Sequence, residues 1–165
     1  MPRLLALLFV LVAVPGAFGQ GFSIYNLRNH PELRWCEAET AHFLIRYPDR
    51  LAGIENQAAP IAESTYVALS HNLGVTFDRK IPIYLSDEDE IVNGFATPVQ
   101  GGYTMIWVHQ NAVAAGWTGR DKWLRRVIPH ELTHLFHYRA VRSSVGLIGL
   151  GLGDALPRFW TEGLA

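Results

Sequence analysis

The stretch that decides the fold runs Trp123-Leu-Arg-Arg-Val-Ile-Pro-His-Glu-Leu-Thr-His-Leu-Phe-His-Tyr138. Its apolar residues recur at steps of three and four, which is typical of an amphipathic helix with one buried face. The pattern predicts a helix from Asp121, a candidate N-cap, to about Tyr138. Pro129 interrupts the pattern and should remove one backbone hydrogen bond or bend the helix. The apolar stripe of this helix consists of Leu124, Ile128, Leu132 and Leu135.

The same stretch carries the motif His-Glu-x-x-His at His130, Glu131 and His134. Four residues of a helix turn through about 400°, so the two histidines lie one turn apart and about 40° apart around the axis. Their imidazoles can therefore share one zinc ion at about 2.0–2.1 Å. Glu131 lies about 100° around the axis from His130. It is poorly placed as a ligand but can act as general base towards a zinc-activated water.

A catalytic zinc needs a third protein ligand and one open position. His137 lies on the same helix stripe, but three ligands from one straight helix would crowd one side of the ion. A metzincin pattern would need a histidine at position 140, and it is excluded because that residue is Ala140. This leaves His137 as the less favoured candidate. A further candidate is Glu162, in the segment Trp160-Thr-Glu-Gly-Leu-Ala165. It would come from a second helix and complete a site of two histidines and one glutamate.

The remainder of the chain predicts an α+β domain with a small mixed sheet. Periodicity predicts strands over His42–Tyr47, Ile81–Leu85 and Tyr103–His109, a helix over Leu51–Leu73 that ends at Gly74, and a final helix from about Pro157. Pro60 should kink or restart the first helix, and Pro82 indicates an edge strand or a strand start. The segments expected to be irregular are the lead-in 20–40, the solvated acidic run 87–90, the turn residues 93–98 and 101–102, and the glycine-rich loop 143–156.

The first nineteen residues have the pattern of a secretory signal peptide. Arg3 precedes an apolar run of eleven residues, Leu4–Val14, and small residues precede a cleavage site before Gln20. Eleven helical residues span about 16 Å, well short of the ~30 Å hydrocarbon core of a membrane. We therefore expect an exported chain that lacks a membrane span after cleavage, with residues 20–40 leading into one domain over 41–165.

Composition limits the classes of protein that the chain can belong to. It has 165 residues, of which 49% are hydrophobic and 18% charged, enough for one domain core and incompatible with a disordered chain. The net charge of −1 gives no support for nucleic-acid binding. A single cysteine excludes a disulfide framework and a cysteine-based zinc site within this chain.

The two motifs His130-Glu-Leu-Thr-His134 and Trp160-Thr-Glu162-Gly-Leu-Ala165 together resemble the gluzincin (MA-like) zinc metallopeptidases. More narrowly, they resemble bacterial exported peptidase-like domains that precede Tol-type β-propellers. The resemblance covers about residues 35–165. It implies a zincin-like catalytic subdomain, a zinc ion held by His130, His134 and Glu162, and Glu131 as general base. Such proteins continue beyond this point, so we expect the chain to be a fragment whose parent has a C-terminal β-propeller.

Two functions fit this sequence. The first is hydrolysis of a peptide or protein substrate by a zinc metallopeptidase, with the strand Thr104–Val108 as the edge along which an extended peptide pairs. The second is a non-catalytic zincin-like module that serves as a binding or structural part of a larger exported protein. The two differ in whether zinc binding is accompanied by peptide turnover.

Overall fold

The computed structural model describes residues 32–88, 94–98, 101–108 and 123–145. Its elements belong to one compact unit that begins at Arg34. Within the described residues the architecture is α+β, with a five-stranded mixed sheet and two α-helices. The elements are β1 (Trp35–Glu39), β2 (Phe43–Pro48), a 3-10 turn (Asp49–Leu51), α1 (Glu55–Leu73), β3 (Ile81–Ser86), β4 (Gly94–Thr97), β5 (Tyr103–Trp107) and α2 (Trp123–Val145).

The sheet has the strand order β1-β2-β3-β5-β4. The three central strands are parallel, with Ile45 opposite Ile83 and Leu85 opposite Ile106. The two outer strands run antiparallel to their neighbours. Parallel neighbours need a crossover connection, and α1 supplies it between β2 and β3. At the other side of the sheet, β4 and β5 contact α2, which carries the histidine motif.

One apolar cluster joins a single face of the sheet to both helices. The sheet contributes alternate side chains, and α1 contributes the small residues Ala58 and Ala62 together with Tyr66. Three residues of the predicted stripe on α2 are fully buried and Leu124 packs against their cluster, so the predicted face of this helix is confirmed. The buried sheet and α2 residues of the cluster are Phe43, Ile45, Tyr47, Ile81, Ile83, Leu85, Ile106, Val127, Ile128, Leu132, Leu135 and Phe136.

Two helix ends among the described residues differ from prediction, the start of α1 and the end of α2. Helix α1 begins at Glu55, because residues 49–51 form a 3-10 turn, and it continues through Pro60 without a restart. Its predicted end is confirmed, since Gly74 takes a left-handed conformation (φ 65°) and its N–H donates to the Ser70 carbonyl. Helix α2 extends to Val145, so the first part of the segment 143–156 is helical rather than loop. Asp121, Pro157 and Glu162 lie outside the described residues.

Pro82 lies in the central strand β3, so its interpretation as an edge residue is wrong and its interpretation as a strand start is confirmed. The N–H of Ile81 donates to the His42 carbonyl on the β2 side. Successive residues of a strand point their N–H groups to opposite sides. Pro82 therefore faces β5, where pairing begins only at Ile83 opposite Thr104. No ladder hydrogen bond is lost at the proline.

Both outer strands were expected to be irregular, and both expectations are wrong. Residues 35–39 of the expected lead-in form β1, and residues 94–97 of the expected turn form β4. In β1 only Cys36 and Ala38 pack against the core, so the alternation of apolar and polar residues that would indicate a strand is weak. Strand β4 is four residues long, and its own sequence does not indicate a strand. Its pairing with β5 makes it one.

The acidic run after β3 begins with a bound carboxylate rather than a fully solvated one. Arg50 donates from Nε and Nη2 to the two carboxylate oxygens of Asp87, at 2.9 and 2.5 Å. The guanidinium also contacts Glu88. The Asp87 side chain is only 14% exposed as a result.

In the described part of the chain, neither helix has the length and apolar character needed to cross a membrane.

A polar cluster ties the start of β2 to α1. The Glu63 carboxylate accepts hydrogen bonds from the hydroxyl of Thr40 (2.6 Å) and the backbone N–H of His42 (2.9 Å), and it lies 2.7 Å from His42 Nδ1. The His42 ring stacks on Tyr66 with centroids 3.8 Å apart. Partial burial acts to raise the pKa of Glu63, but the hydrogen bonds from His42 and Thr40 outweigh it and lower that pKa below its usual value.

The lowered pKa makes the contribution of Glu63 to stability dependent on pH. The contribution is fully present above the carboxyl pKa of the unfolded chain, about 4.3, and is lost as the pH falls through the lower folded value. Urea unfolding of the wild type and of Glu63→Gln should therefore differ most at neutral pH and converge in acid. The control Glu39→Gln, in an exposed ion pair with Lys80, should change the free energy of unfolding by less than about 1 kcal/mol. A Glu63→Gln effect that grows in acid contradicts this account.

Candidate metal centre

The rotation of α2 about its axis is set by its buried residues. Ile128 and Leu132 are completely buried in the core, and they fix which face of the helix meets the sheet and α1. His130 and His134 then lie half-buried on an adjacent face. Glu131 follows Val127 by one turn and is only 4% exposed. The apolar periodicity of the sequence thus determines where the motif side chains stand.

The two motif histidines converge at their Nε2 atoms, which lie 3.2 Å apart. The rings meet edge to face, with centroids 4.7 Å apart. Two nitrogen ligands of a tetrahedral zinc at about 2.0–2.1 Å lie about 3.3–3.4 Å from each other. The observed spacing is within about 0.2 Å of that value. His130 and His134 therefore fit zinc as a pair of ligands.

The remaining motif residue within this turn, Thr133, is used by the helix itself. Its hydroxyl donates to the carbonyl of Pro129 at 2.8 Å, which is a back-bond of the kind that threonine makes inside helices. Pro129 lies within α2, which continues through it. Thr133 thus supports the helix beside the proline.

Glu131 is pressed against the first residue of β4. A Cβ atom added to Gly94 would lie 2.6 Å from Glu131 Oε1, 2.8 Å from Val127 Cγ2 and 2.9 Å from Glu131 Cγ. Real Cβ atoms are not found that close to other heavy atoms, so only glycine allows the strand to approach α2 at this point. Sequence reasoning missed Gly94 because the contact joins residues far apart in the chain.

A cavity of about 260 Å³ opens beside the motif. His130 and Glu131 line it, together with Trp123 and Arg126 from the preceding turns of α2. The indole N–H of Trp123 donates to the Trp107 carbonyl at 2.8 Å, which ties the start of α2 to the end of β5. Neither Trp123 nor Arg126 was singled out from the sequence. The available signal was their spacing of seven and four residues before His130.

Among the described residues, no third metal-ligating side chain joins His130 and His134. Glu162 lies outside the described residues, and within them no three His, Cys, Asp or Glu side chains form a group that could hold a metal ion. His137 is half-buried, and its ring lies nearly parallel to that of Tyr138, with centroids 6.4 Å apart. The described part of the site therefore consists of two converging imidazole nitrogens and an adjacent buried carboxylate.

Comparison of the chain with protein-family models, with curated proteins and with solved structures finds no match. The case for a function rests on the geometry of the site and on the chemistry of its side chains.

The approach of Gly94 to Glu131 predicts a measurable coupling between them. Gly94→Ala should lower the free energy of unfolding by about 1–3 kcal/mol, because a methyl group must displace the carboxylate or separate the strand from α2. In a Glu131→Ala background the same change should cost less, since two of the three close contacts are gone. Urea unfolding of the four proteins measures the coupling. Equal costs in both backgrounds would show that the contact is absent.

Proposed function

We propose that the protein is a zinc-dependent peptide hydrolase of gluzincin type with a zincin-like domain. The observation that carries the proposal is the 3.2 Å separation of the Nε2 atoms of His130 and His134, beside a buried Glu131. Two imidazoles at this spacing match tetrahedral zinc, and a carboxylate one residue away matches the general base that hydrolysis needs. Glu162, from the segment after α2, is proposed as the third ligand.

When bound, zinc acts as a Lewis acid that polarises a carbonyl and lowers the pKa of water towards neutrality. His130 and His134 would hold the ion through their Nε2 atoms. Glu131 accepts a proton from the attacking water and returns it to the leaving nitrogen of the peptide bond. The close approach of Gly94 limits the positions of the carboxylate. Proton transfer therefore starts from a nearly fixed geometry.

The strand that presents the substrate differs from the sequence expectation. Strand β5, which contains Thr104, is paired with β3 on one side and with β4 on the other, so it is not an edge. Strand β4 is the outer strand on this side of the sheet. Gly94, at the start of β4, lies against Glu131. We therefore assign to β4 the role of pairing with an extended peptide substrate.

The setting of this activity is part of the proposal. Arg3 and the apolar run Leu4–Val14 support export through a signal peptide. The motif resemblance supports a longer parent protein in which a C-terminal β-propeller accompanies the hydrolase domain. Peptides or proteins met outside the cytoplasm are the corresponding substrate class.

Zinc binding should depend on the motif histidines and on no others near them. We expect the wild type to retain about one zinc ion per chain after dialysis, and His130→Ala to lose it, because one imidazole cannot hold the ion at the same affinity. His137→Ala and the exposed His71→Ala serve as controls and should retain zinc. The metal content is measured by inductively coupled plasma mass spectrometry. Zinc retained by His130→Ala would rule out the proposed centre.

The role of Glu131 is tested by Glu131→Gln, which keeps the shape of the side chain and removes the base. Zinc content should be unchanged, while kcat for a peptide substrate should fall by about 10²–10⁴ because proton transfer is lost. Turnover is followed with a fluorogenic peptide mixture. An unchanged rate would refute the assignment of the base. Zinc at full occupancy with no turnover of any peptide in the wild type would instead support the non-catalytic module.

A further inference from the structure

Arg126 lies one helical turn before His130 on α2, on the side of the helix that carries the site. Helical side chains lean towards the N-terminus of the helix. The Arg126 side chain therefore covers the turn before its own position and leaves His130 uncovered. Its side chain lines the 260 Å³ cavity that His130, Glu131 and Trp123 also line. A guanidinium therefore borders the same space as the proposed base and one proposed zinc ligand.

Among the described residues, Arg126 lacks the carboxylate partner that three arginines of the domain have. Arg46, Arg50 and Arg139 donate to Glu37, Asp87 and Asp78, respectively. Within the described ranges of the chain, no ion pair joins Arg126 to a carboxylate, and its residue is exposed. Its five donor N–H groups are thus available to a molecule that enters the cavity.

The size and walls of the cavity limit what such a molecule can place there. At about 260 Å³ it is smaller than the 300–1,000 Å³ typical of pockets that enclose a whole ligand. It suits a single side chain or a chain terminus. Trp123 and Val127 form an apolar wall, which favours the stem of an amino-acid side chain. Arg126 also lines the cavity, and a planar guanidinium matches a carboxylate, which it can bind through two parallel hydrogen bonds.

We infer that Arg126 is a specificity-determining residue that binds a carboxylate of the substrate, so that the enzyme prefers peptides with an acidic group next to the cleaved bond. The inference rests on the proposed function, because it takes the bound peptide to be the substrate of a hydrolase. The binding of an acidic peptide in the cavity does not require turnover. The inference about Arg126 and the hydrolase proposal can therefore fail separately.

The test uses the full chain loaded with zinc and blocked pentapeptides of alanine that carry glutamate or glutamine at one position, each position in turn. At one position the wild type should prefer glutamate by about tenfold in kcat/KM, the lower end for hydrogen bonds to a charged partner, because Arg126 is exposed. Arg126→Gln should abolish the preference. Arg126→Glu, assayed also with pentapeptides that carry lysine, should favour lysine at that position instead. The matched control is Arg125→Gln, since Arg125 is also exposed but lines a separate cavity.

A second measurement separates this inference from the hydrolase proposal. Calorimetric titration of the same peptides into zinc-loaded Glu131→Gln measures binding without cleavage. Tighter binding of the glutamate peptide that disappears with Arg126→Gln supports the inference, even if the wild type cleaves nothing. Equal binding of the glutamate and glutamine peptides at all positions, or a preference that survives Arg126→Gln, overturns it. In that case cleavage of either peptide by the wild type would leave the hydrolase proposal standing.

Discussion

The burial of Ile128 and Leu132 against the sheet and α1 is the interaction on which the remaining structure depends. Both side chains are completely removed from water, and each contributes about 1.5–3 kcal/mol by this burial. Turning α2 about its axis would expose them, so its rotation is fixed. The orientation of His130 and His134, on the neighbouring face, therefore follows from the packing of the helix that carries them. A metal centre built on such a helix inherits its rigidity from the core.

The second constraint is the close approach of β4 to α2. It couples the sheet to the site, because Gly94 leaves room for Glu131 Oε1 where any larger residue would collide. Its consequence is a buried carboxylate with few accessible positions beside two imidazoles. Trp123 adds a further link, since its indole N–H donates to the end of β5. The cavity between these contacts is thus bordered by elements that are each tied to the sheet.

Helix α1, which packs against α2, uses small residues and one polar cluster. Ala58 and Ala62 are fully buried, which lets α1 approach its neighbours closely. Glu63, one residue further along, binds the turn before β2 through Thr40 and His42. The helix is therefore positioned by packing along one face and by charge-assisted hydrogen bonds at one point. This arrangement holds the crossover between β2 and β3 in place, while the site lies on α2.

The sequence by itself determined what repeats over short distances. The period of Ile128, Leu132 and Leu135 gave the buried face of α2, Gly74 gave the end of α1, and the spacing of His130 and His134 gave the pair that converges. Tertiary structure decided what joins distant residues. The outer positions of β1 and β4, the interior position of β5 and the contact of Gly94 with Glu131 all arise from strand pairing. The physical reason is that helix period and capping are set within four residues, whereas the partner of a strand is chosen by burial over the whole domain.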